Sequence, residues 1–359
     1  MDIVMKLSLL REKRSWVVAC VVFVIGLLIL ELFLRIFVYR KTEYSIHDTD
    51  IDWQSKAGTL YFQAVEGFGV THYVADYEIN TVPSPPTNGM SVVVIGDSYT
   101  EGYQVNDDEK YVSVAENLLL ERGFVANLHN FGRSDNKLAD DIWFFNHIYK
   151  QYKPQIAVFQ LNFDDLIAEY NSNNRRINFF IKQSDGALQI QHQPIPVQSQ
   201  NELFNFIFRN SSIISYGAVR FKSISAILLD KYFTSQDTEV TSLETLYLIY
   251  EKTILDKIAI LKNATAGVKL VIILAPPFPI IKKDKIILDN PQYDELVSLL
   301  KKIPDLVVID PSTPFVDLLK NNHFPSGFNN SPIGIGHWNK NGNAIVGQLL
   351  ADELQKIIK

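Results

Sequence analysis

Ser91 to Ile95 reads SVVVI, a short run with a β-branched residue at every position after the serine. A strand that is apolar at successive rather than alternate positions is buried on both faces, the pattern of a parallel sheet covered by helices. Parallel neighbours cannot be joined by a tight hairpin, so such a strand commits the chain around it to strand–helix alternation. The sequence meets that demand. A helical stretch near 111–122 precedes a strand at 125–130. Residues 137–152 are helical, and Pro154 leads into a strand at 155–161. VKLVIIL (268–274) ends at Ala275-Pro276-Pro277, a fifth strand covers 306–309, and an amphipathic helix at 344–358 closes the chain. This alternation predicts an α/β domain over 91–359, built on a parallel sheet. A mixed lead-in segment, 42–90, ends in the loop TVPSPPTNGM. The interval from about 170 to 240 breaks the alternation, with a polar run at 181–200 and an apolar, helically spaced run at 201–229. It reads either as an insertion capping the carboxyl end of the sheet or as two packing helices with a long connector.

The 47% of hydrophobic residues is unevenly spread. Trp16 to Leu34 is a run of nineteen residues in which only Glu31 is charged. That length crosses a hydrocarbon core of ~30 Å as a helix. Glu31 and Arg35, spaced i,i+4, can pair at its end. A cleaved signal peptide is the rival reading. The long run, its continuation through Ile36, Phe37 and Val38, and the absence of a small-x-small cleavage site favour an uncleaved anchor. Residues 1–41 then form a tail and a membrane anchor spanning 16–34. Lys6, Arg11, Lys13 and Arg14 precede the span, and Arg35, Arg40 and Lys41 follow it, a weak bias that places the amino terminus in the cytoplasm. The α/β domain is then extracytoplasmic. Cys20, the single cysteine, lies within the span, so the domain has none, which agrees with that placement. A net charge of −6 argues against nucleic acid as a partner.

Directly after the SVVVI strand stands Gly96-Asp97-Ser98-Tyr99-Thr100-Glu101-Gly102. A serine at the carboxyl end of a strand lies where open α/β sheets hold their ligands, and the N–H groups of a following helix can stabilise a developing anion. Gly96 suits a tight turn, and Asp97 can hold the loop in one geometry. Thr100 replaces the second glycine of the G-x-S-x-G elbow, so this is a different motif. A serine hydroxyl needs a base. Among seven histidines, His337, in Gly336-His337-Trp338-Asn339-Lys340-Asn341-Gly342, has the setting of a catalytic loop ahead of a helix. No metal-binding motif, phosphate loop or cysteine pair competes, and no cofactor is implied. Asp107, Asp108, Glu109, Asp140 and Asp141 read as solvated helix ends. Tyr170 to Arg176 reads as a loop or the lining of a polar cleft.

With GDSYTEGYQV, LHNFGRSDNK, YKPQIAVFQLNFDDL and HWNKNG in that order, the chain resembles the SGNH hydrolases, or GDSL esterases and lipases, and is closest in look to their membrane-anchored bacterial branch. The resemblance covers about 90–170 and 265–359. It implies a flavodoxin-like three-layer α/β/α fold, with Ser98 as nucleophile and His337 as base, supported by Gly96, Asp97 and Asn339. The oxyanion hole implied is the backbone N–H of Ser98, a backbone N–H at Asp135, where the family has glycine, and the side chain of Asn162. Asp164 is the alternative to Asn162. Gly132 is an earlier glycine of the same turn. The carboxylate that orients the histidine falls on Gly334 or Ile335, neither acidic. A backbone carbonyl or the distant Asp310 is left for the role.

The resemblance implies a membrane-tethered serine esterase acting on acyl or acetyl esters of envelope or secreted glycans, or of lipid. An O-acetyltransferase using the same site is a second reading. A catalytically weak or inactive glycan-binding or assembly protein is a third, motivated by Asp135, Asp164 and Gly334/Ile335.

Overall fold

The structure, a computed structural model, describes residues 2–38, 45–48, 52–55, 57–62, 66–82, 89–167, 178–193, 211–214, 217, 243–277, 280–282, 285–287, 291–331 and 334–359. The chain divides into two units, one of Met1–Lys41 with Ser199–Gln236 and one of Thr42–Gln198 with Asp237–Lys359.

The first unit contains the helix Asp2–Phe33. Its stretch Ser15–Ile36 is long and apolar enough to cross a membrane. The expected Glu31–Arg35 pair forms, with Nε 3.1 Å from the carboxylate. Glu31 also accepts the N–H groups of Ser212 and Ile213 and the hydroxyl of Ser211, within the same unit.

The second unit is built on an eight-stranded sheet. Its five parallel strands are Met90–Gly96, Ala126–Gly132, Ile156–Asn162, Lys269–Ala275 and Val307–Ile309. Their order across the sheet is second, first, third, fourth, fifth, the flavodoxin-like winding. Side chains alternate between two cores, as strand geometry requires. Val93 and Ile95 enter one core with residues of the helices Leu138–Tyr152, Leu243–Ala264 and Pro291–Lys301. Val92 and Val94 enter the other, with residues of Tyr111–Glu121, Ser312–Lys320 and Lys340–Ile358. The fold is therefore a three-layer α/β/α sandwich.

The sheet is mixed rather than wholly parallel. Leu60–Phe62, Val70–Ala75 and Glu78–Ile79, from the segment expected only to lead in, add three antiparallel strands to one edge, joined where Ile79 pairs with Asn130. The polar part of the 170–240 interval forms a hairpin, Asn178–Lys182 with Leu188–His192. Most of the apolar part, and Tyr170 to Arg176, lie outside the described residues.

Two acids expected at solvated helix ends are buried. Asp107 lies 3.0 Å from the fully buried ammonium of Lys110, which also donates to Thr71. Asp141 is buried and accepts from the Asn136 amide at 2.9 Å. Each acid is tolerated because a partner close in sequence, three residues away for Asp107 and five for Asp141, replaces water. Burial pushes the Asp141 carboxyl well above its ordinary range.

Candidate active site

The sheet reverses its winding direction between the first and third parallel strands, and the crevice beyond their carboxyl ends is where open α/β sheets bind ligands. Met90–Gly96 runs out of that edge into a one-turn helix, Ser98–Glu101. Asp97 caps it, accepting the Tyr99 N–H at 2.9 Å, and Gly102 ends it in a left-handed conformation at φ +60°. Ser98 is left half-buried at the mouth of the crevice.

Gly96 is glycine because of crowding, not the turn expected from its sequence. It is the last residue of an extended strand, and an added Cβ would lie 2.4 Å from Thr100 Oγ1 and 2.8 Å from Gln160 Oε1. Gly132 is tighter still, since its Cβ would lie 2.0 Å from the Glu101 nitrogen. The second parallel strand thus packs against the serine-bearing turn through a bare backbone.

His337 comes from the loop ahead of the C-terminal helix. Asn339 caps that helix, accepting the N–H groups of Asn341 and Gly342, and its own amide donates to the carbonyls of Phe324 and Gly327. Asn339 therefore holds the loop in shape. Tyr99 packs its ring 5.2 Å from the His337 ring and 4.8 Å from Trp338, and donates weakly to the Gly336 carbonyl at 3.4 Å. The result is a hydrogen bond of 2.8 Å between His337 Nε2 and Ser98 Oγ.

The other ring nitrogen, Nδ1, lies 2.6 Å from Glu66 Oε2, and Glu66 Oε1 accepts the His337 backbone N–H at 2.9 Å. The carboxylate sought near Gly334 and Ile335 thus comes from the far end of the chain, and neither a backbone carbonyl nor Asp310 takes the role. Asp310 instead accepts from Tyr293 and from Ser312, opening the helix Ser312–Lys320. Gly334 is a left-handed turn residue at φ +80°, and Ile335 is exposed. Burial is the largest single influence on His337 and disfavours its charged form. The hydrogen bond and charge of Glu66, with Asp97 and Glu101 behind it, together outweigh burial, and the imidazole is held above the ordinary histidine range.

Sequence reading missed Glu66, though a faint signal exists. Glu66-Gly67-Phe68-Gly69 spaces two glycines, and a Cβ on either would come within 2.4 Å of backbone oxygens of residues 103–105. Such a pair marks close backbone approach but does not say to what.

The three positions considered for the oxyanion hole are placed differently. Ser98 presents its N–H at the start of the one-turn helix, where no hydrogen-bond acceptor is found among the described residues. Asn162 ends the third strand, half-buried, and its amide donates to Asp97 Oδ2 across the crevice while its backbone N–H is accepted by Asp165. Asp164 is exposed in the first turn of Phe163–Ile167, so it is Asn162 that touches the residue preceding the serine. Asp135, also exposed, adopts φ +66°, the left-handed conformation glycine takes without strain and Asp tolerates better than most residues. The Gly132 N–H is already accepted by Asn130 at 3.0 Å. Burial pushes the Asp97 carboxyl up to about 6, against the hydrogen bond from Tyr99.

Among the described residues, no group of three or more His, Cys, Asp or Glu side chains is placed to hold a metal ion. No family model and no curated protein matches the sequence. Solved structures are similar in fold over about three quarters of the chain. A lipase/acylhydrolase from Enterococcus faecalis is 14% identical, over 75% of this chain and 97% of its own, with a TM-score of 0.42. A family 3 carbohydrate esterase from Clostridium thermocellum is 10% identical, over 76% and 98%, with a TM-score of 0.39. A member of the lipolytic G-D-S-L family from Veillonella parvula is 13% identical, over 75% and 100%, with a TM-score of 0.38. Similarity of this degree carries nothing about activity, which rests on the geometry of the site.

Proposed function

We propose that the protein is a serine hydrolase of ester bonds. The observation that carries this reading is the continuous line Glu66–His337–Ser98, with hydrogen bonds of 2.6 and 2.8 Å on opposite ring nitrogens. A carboxylate on Nδ1 fixes the tautomer whose Nε2 is free to accept the serine proton, and it stabilises the imidazolium that then forms. Ser98 Oγ attacks the ester carbonyl as its proton passes to His337. The tetrahedral oxyanion is held by the Ser98 N–H and the second N–H of the Asn162 amide. His337 then returns the proton to the leaving alcohol, freeing it and leaving an acyl-serine. Water, deprotonated by His337, releases the acid. A sugar hydroxyl in place of water would make the same site an O-acetyltransferase.

The apolar helix supports a membrane-tethered enzyme, and the weak excess of basic residues ahead of the span is what favours an extracytoplasmic catalytic domain. A glycan ester is the substrate class that the sequence's resemblance implies. The full chain in detergent should hydrolyse p-nitrophenyl acetate and be labelled at Ser98 by a fluorophosphonate. Folded protein that does neither would overturn the reading in favour of a binding or assembly role for the same fold. A carboxyl-terminal reporter active only in the cytoplasm would overturn the orientation.

A further inference from the structure

Glu31 is the only charged residue in the run 16–34. It lies five residues inside the end of the apolar stretch Ser15–Ile36, about 7.5 Å at 1.5 Å per residue. A carboxylate at that depth is costly unless protein groups take the place of water around it. Four donors do so, two to each oxygen. Oε1 accepts the Ser212 N–H at 2.7 Å and Arg35 Nε at 3.1 Å, and Oε2 accepts the Ile213 N–H at 3.0 Å and the Ser211 hydroxyl at 3.1 Å. That number fills the lone-pair sites of an ionised carboxylate, and the Arg35 guanidinium balances its charge.

The arrangement satisfies the other partner as well. Residues 212–214 form a helical turn, and the first N–H groups of such a turn have no acceptor within it. Ser211 Oγ accepts the Ile214 N–H at 3.3 Å, and Glu31 takes the two N–H groups before it. A second observation shows the same face of the anchor to be covered. Leu34, three residues beyond Glu31 and so on its side of the helix, is buried at 8% exposure. Leu28, Ile29 and Leu32 are exposed, an apolar surface of the kind that acyl chains cover. Ile214, one residue beyond the last N–H that Glu31 holds, is 43% exposed.

We propose that residues 211–214 are a second membrane contact of this chain, held by Glu31 at the level of the apolar span, with Ile214 against phospholipid acyl chains. The chain then meets the bilayer twice, at the anchor and again 180 residues further on. The proposal rests on the anchor reading and is independent of the ester-hydrolase one.

The test is fluorescence quenching of the full chain in phosphatidylcholine vesicles. Cys20→Ala removes the native thiol, and Ile214→Cys or Leu28→Cys then supplies a single site for a thiol-reactive fluorophore. Doxyl groups on lipid acyl chains quench from within the bilayer, and iodide, present on both sides, quenches from water. Both probes should be quenched more by doxyl lipid than by iodide. Glu31→Leu leaves the N–H groups of Ser212 and Ile213 without their acceptor, so the probe at 214 should lose doxyl quenching and become open to iodide. The probe at 28 should not change, because the substitution makes the span more apolar; it separates a released turn from a lost anchor. A probe at 214 reached by iodide in the parent, beside a lipid-quenched probe at 28, would overturn the proposal and leave the anchor standing. A probe at 28 reached by iodide would overturn both. A probe at 214 that stays in lipid after Glu31→Leu would overturn Glu31 as its holder, and the proposal with it. Fluorophosphonate labelling of Ser98 in the same vesicles reports on the hydrolase reading separately.

Discussion

Replacing Glu66 by glutamine tests the alignment at its least obvious point. Glu66 receives two donors from one residue, the Nδ1–H of His337 at 2.6 Å and its backbone N–H at 2.9 Å. An amide has one acceptor and one donor group, so it cannot serve both. If its oxygen faces the backbone N–H, its NH₂ faces Nδ1, which must then accept. The ring proton moves to Nε2, pointing at Ser98 Oγ 2.8 Å away, and the base is lost. The opposite amide orientation keeps the tautomer but sets NH₂ against the backbone N–H, an unmade hydrogen bond costing about 1–3 kcal/mol. The first arrangement should therefore dominate. In the serine-protease case the corresponding change lowers kcat by ~10⁴. We expect E66Q to lose about 10³–10⁴ in kcat/KM for p-nitrophenyl acetate, or about 4–5.5 kcal/mol at 1.36 kcal/mol per decade. The pH profile adds an independent readout. The base works when neutral, so kcat/KM falls as pH drops through the His337 pKa, which Glu66 and its neighbours hold above the usual histidine value. Glu66→Ala removes the partner and keeps most of the burial, so the acidic limb should move to lower pH. An E66Q enzyme that keeps more than a tenth of parental kcat/KM, or a Glu66→Ala enzyme whose limb stays in place, would refute this role for Glu66.

Other outcomes follow from the same geometry. Asn162→Ala should lower kcat by about 10²–10³ with little change in KM for a small ester, as loss of one oxyanion donor does; an unchanged kcat would remove Asn162 from the hole. Gly132→Ala drives a methyl into the Glu101 backbone nitrogen and should destabilise by about 1–3 kcal/mol or more, read as a lower Tm. Asp107→Ala leaves the buried Lys110 ammonium with Thr71 as its remaining hydrogen-bond partner among the described residues and should cost about 3–5 kcal/mol, whereas exchanging both members of the pair for apolar residues should cost far less. Equal losses in the single and double variants would show that packing, not the pairing, matters there.

What could be read from the residues alone was whatever neighbouring residues settle among themselves. The β-branched run 92–95 needs burial on both faces wherever it lies, so the layered α/β fold and the parallel core follow from it. The helix over Ser15–Ile36 follows from apolar length, and the placing of Ser98 at the crevice follows from a turn set where a strand ends. Tertiary structure decided the rest, because those contacts join groups whose own surroundings are indifferent to the partner. Leu60–Phe62 and Glu78–Ile79 are too short to declare themselves as strands, Val70–Ala75 lacks a continuous apolar run, and all three become strands only by pairing at the edge of the sheet. Asp107 and Asp141 sit close in sequence to Lys110 and Asn136 and look solvated, and only tertiary packing closes water off from these local pairs. Glu66 lies 271 residues from His337 and becomes its carboxylate only when the edge hairpin folds over residues 103–105. Its charge is of a common kind on any surface, and only the approach of an imidazole gives it a task.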